Sequence, residues 1–405
     1  LRGPFFYYLA VVLTLHLLIA FLFWSGFVLM AHSYVLYPAL IRLLASNKKL
    51  NKTHTDQPKV MVLMAVYNAE KIIAQKIQSV LNSDYPNHQI KFIIGSDCST
   101  DQTDSLIQMA AQKDNRICFT RFNERTGKIG IINALFEQAR QQPDFNNSII
   151  ISTDVTAIFH PQCISELVKC FADEQTGIVG CNIIKGEIRT DGISGQEKAY
   201  YKRELQMKYD EGVLWGCTMG VFGAAFAIRP HVFTLVPAHF LVDDFFISMA
   251  ALQKGYKVML DNEANVYMNV PNDSATEYRR KVRIAAGNFQ NLMYFKSFLI
   301  GMNAVSFAYW SHKVIRWLGP FFISLCFISA ALLINYDIMY KWAFYIQAAL
   351  LVTPALNYLL QQINFHNSIL RFASHFYTMN LGILIGYFRF VRGIKSSVWE
   401  PTKRV

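Results

Sequence analysis

The chain has 405 residues, 53% of them hydrophobic and 17% charged, which excludes an ordinary soluble protein and allows two or three domains. The apolar excess is concentrated in residues 5–46 and again from about 314 to 392, lengths that spanning helices need, with a stretch of soluble composition between them. A net charge of +11 gathers beside the apolar ends, at Arg42, Lys48, Lys49 and Lys52, at Arg279, Arg280, Lys281 and Arg283, and at Arg389, Arg392, Lys395, Lys403 and Arg404. This reads as positive-inside bias and attraction to anionic headgroups, and with no nucleic-acid module beside it no nucleic-acid partner is expected.

Residues 5–30 carry no charge and predict a spanning helix, too long and too aromatic for a cleaved signal sequence. Residues 31–46 continue it as an amphipathic, interfacial helix, and a polar linker runs over 47–59. Strand and helix patterns then alternate. Residues 60–66 predict a buried strand, followed by Tyr67-Asn68-Ala69-Glu70 and a helix to about Leu81. A strand over 89–94 ends at Gly95-Ser96-Asp97-Cys98-Ser99-Thr100-Asp101. A helix over 103–113 and a strand over 117–120 come next. Arg125-Thr126-Gly127-Lys128 opens a helix carrying Asn133, and the strand 148–152 leads to Asp154-Val155-Thr156. The alternation predicts an α/β fold with a doubly wound, mostly parallel sheet, whose ligands sit outside the carboxyl ends of the strands. All three polar clusters fall on that edge.

A carboxylate at the end of an apolar strand either caps a helix or receives a ligand. Asp97 is thus a cap for the helix near Thr103 or an acceptor for a base or ribose. Lys128 is a solvated surface lysine or a phosphate or base contact, and Asp154 is a turn former or a ligand for a divalent cation on a diphosphate. Phe240-Leu241-Val242-Asp243-Asp244-Phe245-Phe246 places two acids in an apolar helix start. Capping accounts for one of them, and burial moves a carboxyl toward the range of a general base. The run Arg279–Arg283 is a diphosphate clamp or a basic interfacial helix ahead of the membrane. The seven cysteines contain no CxxC or Cys/His cluster and support neither disulfides nor zinc.

In order and spacing these segments resemble glycosyltransferase family 2, membrane-anchored inverting enzymes of GT-A fold, over roughly residues 58–290. Val66-Tyr67-Asn68-Ala69-Glu70 resembles the first nucleotide-contact strand end, Ser96–Asp101 the "DDGSTD" element, and Arg125–Ala134 the "RxGKxxAxN" segment. Asp154-Val155-Thr156 takes the DxD position, Asp243-Asp244 the "ED" position, and Gly223–Arg229 the acceptor-side segment. The resemblance implies donor binding by Tyr67, Asn68, Glu70, Asp97, Lys128, Asn133, Arg280 and Arg283, with Gly223 and Ala224 on the acceptor side. It also implies a Mg²⁺ or Mn²⁺ cofactor on Asp154 and catalysis by Asp243 and Asp244, Asp244 being the base.

The chain departs from the family pattern at Thr156, where a second metal carboxylate is missing. It departs again at Ile284, where processive synthases have the Trp of QxxRW, which favours addition of one or a few sugars over long polymers. The resemblance further implies a nucleotide-sugar donor, with UDP the favoured carrier, a lipid-linked or saccharide acceptor, membrane lipids around the spans and possible envelope-assembly partners.

The domain plan expected is a helix pair over 1–46, a catalytic domain over 58–290, an interfacial segment over 291–313, spans within 314–392 and a basic tail over 393–405. Three apolar segments, about 314–334, 341–360 and 370–390, would make four spans with the first. Basic residues and the tail Val398-Trp399-Glu400-Pro401-Thr402-Lys403-Arg404 favour a cytosolic catalytic domain and C-terminus at the inner or plasma membrane. Rival readings are a processive synthase that extrudes its polymer and an inactive scaffold of an export complex. A transporter is disfavoured, because no span carries an acid at mid-depth.

Overall fold

The strand Val60–Val66 (β1) is apolar and buried at every position, as a strand covered on both faces requires. The other strands are Ile90–Ser96 (β2), Ile117–Arg121 (β3), Ile149–Asp154 (β4), Ile158–Phe159 (β5), Thr176–Lys185 (β6), Ala225–Ile228 (β7) and Lys257–Met268 (β8). They form one eight-stranded sheet in the order β3-β2-β1-β4-β7-β6-β8-β5. β1 pairs in parallel with β2 and β4, and β2 with β3. β7 then runs antiparallel to both β4 and β6, β8 is parallel to β6, and β5 is antiparallel to β8. The predicted parallel, doubly wound half is present over β3-β2-β1-β4, and the second half is mixed. Strands and helices go on alternating after β4, but β7 enters antiparallel between β4 and β6, a reversal that the order of elements does not reveal.

The computed structural model describes residues 3–53, 57–186, 194–269, 274–363, 365 and 367–394. The chain divides into two compact units, one of which holds residues 41–277 and 290–308 and contains the sheet. Its core runs from β1 and β2 through the helices Ile73–Leu81 and Cys163–Lys169 to Val179, Cys181 and Val266. Lys52 ties the linker down through ion pairs with Glu166, Asp261 and Glu263 at 2.7–2.8 Å. The segment expected to be one interfacial stretch includes a short 3-10 helix, Lys296–Leu299, and a short α-helix, Ala304–Ala308, and Phe295 is fully buried.

The other unit comprises residues 1–40, 278–289 and 309–392. Its first helix, Gly3–Ala31, continues through a π-helical turn at His32–Leu36 into Tyr37–Ala45. Phe23 packs there with Cys326, Ala330, Leu333 and Tyr340. A second π-helical turn, Tyr309–Val314, faces the first: Ser33 Oγ donates to the Ser311 carbonyl, and Arg316 donates to the Ser33 carbonyl. Among the described residues two helices are long and apolar enough to cross a membrane, Ala10–Ala45 and Ile338–Gln362. A third span results if Ala304–Trp317 and Gly319–Leu332, bent by 63°, count as one. The expected segment 370–390 is helical over Ser368–Val391 but holds Arg371, Asn380 and Arg389, and it is not among those helices. The C-terminal motif 398–404 lies outside the described residues.

Candidate active site

The register pairs Val66 with Ser96 and Ala65 with Asp154, so three polar strand ends meet at one edge. Asn68 takes a left-handed conformation at φ 46°, which asparagine tolerates. Its Oδ1 accepts the Thr100 N–H at 2.9 Å, and its own N–H donates to Ser99 Oγ. Glu70 Oε2 accepts the Gln102 N–H, while its own N–H donates to Asp101 Oδ2. Asn68 and Glu70 thus lace the first two turns together. Tyr67 carries the Arg125 guanidinium 3.4 Å above its ring.

The alternative that makes Asp97 a cap for the helix near Thr103 does not hold. Asp101 serves the N-terminus near Thr103, accepting the Thr103 N–H at 3.0 Å. Asp97, buried, instead accepts the N–H groups of Thr126 at 2.7 Å and Gly127 at 3.1 Å, and pairs with Arg125 Nε at 3.0 Å. It therefore anchors the start of the helix Gly127–Arg140. Gly127 sits at φ 77°, a conformation that side chains resist. The next residue is Lys128, whose direction is set by these contacts.

Lys128 Nζ lies 3.0 Å from Asp154 Oδ1 and 3.1 Å from Asp243 Oδ2. Burial works against its charge, but Asp154, Asp243 and Asp244 outweigh it and hold the ammonium pKa above the usual lysine range. Asp243 Oδ2 is buried and makes no aligned hydrogen bond. Asp243 and Asp244 open the helix Asp243–Gln253, where the helix dipole favours anions. Asp244 Oδ2 accepts the Gly223 N–H at 2.6 Å and Oδ1 the Phe245 N–H at 2.7 Å. Burial first, and the neighbouring Asp243 second, raise the Asp244 pKa against the pull of Lys128 and Lys208. A cation paired with two carboxylates and attracted by a third at the edge of a parallel sheet suits a phosphorylated donor and a proton acceptor beside it.

A family model described as "Glycosyl transferase family 2" matches residues 61–232, and one described as "Glycosyl transferase family group 2" matches 149–360, more than half of the chain. The chain belongs to glycosyl transferase family 2. Within this family 2 chain the two matches run from β1 into the second apolar region.

The chain is 33% identical over 84 residues to a putative teichuronic acid biosynthesis glycosyltransferase, TuaG, of Bacillus subtilis, covering 21% of this chain and 32% of that protein. It is 30% identical over 124 residues to a beta-monoglucosyldiacylglycerol synthase of Nostoc, covering 30% of this chain and 25% of that protein. The match thus spans a third or less of either curated relative. The mannosyltransferase PcManGT of Pyrobaculum calidifontis, solved with GDP-Man and Mn²⁺, superposes with a TM-score of 0.67 at 19% identity. That superposition covers 91% of this chain and 99% of PcManGT, and shows a shared fold.

Several supports of the family 2 site escaped the sequence reading. The Asn133 amide, expected at the donor, is bonded at both ends to the backbone of Val236, at 2.8 and 3.2 Å. Gln290 bonds the backbone of His239 and Leu241, and Asn291 that of Val242. Three amides from two distant helices thus hold the segment that delivers Asp243. Ala224 accepts the Asp154 N–H at 3.0 Å, so Gly223 and Ala224 join the Asp154 turn to Asp244. Lys76, fully buried under the same turn, shares the apolar stripe of its helix with Ile73, Ile77 and Val80, a signal in the sequence that the site motifs do not include. Arg280 and Arg283 lie on the helix Ser274–Tyr294, in the part assigned to the other unit.

Among the described residues no group of three or more His, Cys, Asp and Glu could hold a metal ion. The donor set is one carboxylate, Asp154, with its side chain 35% exposed, and Thr156 two residues on. This fits a hard cation that takes its other ligands from diphosphate oxygens and water, and does not fit an all-protein cage.

Proposed function

We propose that the chain is a membrane-bound inverting glycosyltransferase that moves a sugar from a nucleotide-sugar donor to a lipid-linked or saccharide acceptor in envelope or polysaccharide assembly. The observation that carries this reading is Lys128 held between Asp154 and Asp243, one backbone strap away from Asp244. Tyr67, Asn68 and Glu70, with Arg125 and Asp97 behind them, form the nucleotide end. Lys128 meets the diphosphate. Asp244 takes the proton of the acceptor hydroxyl as that oxygen attacks the anomeric carbon, and the nucleoside diphosphate leaves from the opposite side, inverting the configuration. Asp243 keeps Lys128 in place and raises the basicity of Asp244.

Asp154 would hold Mg²⁺ or Mn²⁺, which supplies positive charge to the leaving diphosphate; the Mn²⁺ bound in PcManGT supports the same choice. UDP is the favoured carrier by family resemblance, while PcManGT was solved with a GDP-sugar. The names of the curated relatives, a teichuronic acid glycosyltransferase and a glucosyldiacylglycerol synthase, support an envelope saccharide or a lipid as acceptor. Ile284, in place of a stacking Trp, supports short addition. The basic residues flanking the apolar helices and the free cysteines support a cytosolic catalytic domain at the inner or plasma membrane.

The test is nucleoside diphosphate release by protein in detergent, offered UDP-, GDP- and dTDP-sugars with Mg²⁺ or Mn²⁺ and a lipid extract. Release selective for one donor and lost in Asp244→Asn is the expected result. Release from none of them overturns the enzyme reading in favour of a scaffold.

A further inference from the structure

Lys76 is fully buried on the helix Ile73–Leu81, against the underside of the turn that carries Asp154. Burial, against the pull of Cys163 and Asp154, brings the Lys76 pKa down to about 7, and its N–H donors, charged or neutral, are costly to bury unless they are met. Here all three directions are used. Nζ donates to Thr153 Oγ1 at 2.9 Å and to the Ala157 carbonyl, and it lies 3.7 Å from the centre of the Phe159 ring. These three partners bracket the turn from the residue before Asp154 to its exit in β5.

The contact does not stop at the turn. The Thr153 hydroxyl, which accepts from Lys76, donates its own proton onward to the Ala224 carbonyl at 2.8 Å. The same carbonyl accepts the Asp154 N–H at 3.0 Å. One residue earlier, Gly223 gives its N–H to Asp244 Oδ2. A single chain of hydrogen bonds therefore runs from Lys76 through Thr153 to Ala224, and the adjoining Gly223 N–H holds Asp244. On the same helix Ser79 Oγ accepts the Phe159 N–H, so the turn is held by the helix at two points.

From this geometry we infer that Lys76 is a positioning residue that sets the Asp154 turn and, through Thr153 and the Gly223–Ala224 strap, the Asp244 carboxylate, as one coupled unit. It touches neither donor nor acceptor and acts by fixing the spacing between the group at the diphosphate and the base. A methionine in its place keeps the length and the apolar packing but leaves Thr153 Oγ1 and the Ala157 carbonyl without their donor. The catalytic meaning of the unit rests on the transferase reading above, whereas the coupling itself does not.

The experiment is amide hydrogen exchange on the full chain in detergent for wild type, Lys76→Met, Thr153→Val and Thr153→Ser. Peptides covering 153–159 and 221–226 are expected to exchange roughly tenfold faster or more, together, in Lys76→Met and Thr153→Val, with β2 and β3 unchanged. Thr153→Ser, which keeps the hydroxyl, is expected to stay at the wild-type level. With the donor that supports release, both damaging variants lower kcat with little change in donor KM, and the double variant loses no more than the worse single one. If Lys76→Met does not fold, Thr153→Val and its rescue by serine carry the same comparison.

Unchanged exchange in the two segments overturns the inference. So does loosening of only one segment, a uniform rise across the sheet, or losses that multiply in the double variant. Coupled exchange in a protein that releases no nucleotide leaves the positioning unit standing and removes the transferase reading instead.

Discussion

Lys128 and Asp154 form an ion pair at 3.0 Å although one opens a helix and the other ends a strand. The same ammonium reaches Asp243 at 3.1 Å, from a third element. Lys128 is thus the charge that lets three carboxylates share a small space. Its raised pKa means that its stabilisation is fully present below the ordinary lysine pKa, and so at neutral pH, and is lost only as pH rises through the folded-state value. Lys128→Met is expected to lower turnover by ~10²–10³-fold, the scale of removing one well-placed electrostatic group. The variant's melting temperature should fall at pH 7 and recover part of the loss on acidification, as the stranded carboxylates protonate. Steady-state kinetics and thermal melts across pH check both.

Asp244 has a folded-state pKa above the ordinary aspartate value, chiefly through burial. A base must be deprotonated to work, so the acid limb of kcat is expected above that ordinary value. Between the unfolded and folded pKa values the native state holds a proton the unfolded chain has released. Stability from this group therefore falls as pH rises through that window. Asp244→Asn should flatten this part of the stability profile and lower kcat by ~10²–10⁴-fold while sparing donor binding. A pH–rate profile and denaturant midpoints at several pH values measure the two effects.

Chelation is the test of the cation. With Asp154 as the carboxylate of its motif, a bound ion depends on the diphosphate for other ligands. EDTA is expected to abolish turnover, and Mn²⁺ or Mg²⁺ to restore it. Calorimetric titration with nucleoside diphosphate alone should show affinity weakened roughly tenfold or more by EDTA in wild type, and much less in Asp154→Ala. Equal affinity with and without the ion would remove Asp154 from that role.

Gly223 leaves little room above the site. A Cβ added there would stand 3.1 Å from Asp244 Oδ2 and 3.3 Å from Lys128 Nζ. Displacement of either group by a few tenths of an ångström is enough to spoil an in-line geometry. Gly223→Ala is expected to fold normally and to lose roughly tenfold in kcat, with donor KM nearly unchanged. Kinetics beside a melting curve separate this from instability.

The sequence by itself determined the parallel half of the sheet and the edge on which the polar clusters meet. Runs such as Val60–Val66 and Ile149–Ile151 bury themselves on both faces, and the chain can leave such strands only at a polar turn. It also determined the apolar helix near the N-terminus, because an uncharged run of that length has few other places to go.

Tertiary structure alone decided which partner each polar group found. Asp97 serves a helix start that lies far along the chain from it, and Asn133 serves a backbone segment farther still. Lys76 holds a turn that its own helical pattern never indicates. The antiparallel insertion of β7 was equally hidden, since four short apolar residues carry no sign of their neighbours. Local propensity and periodicity are written in adjacent residues, whereas a buried hydrogen bond or ion pair depends on the position of a group that only the finished fold supplies.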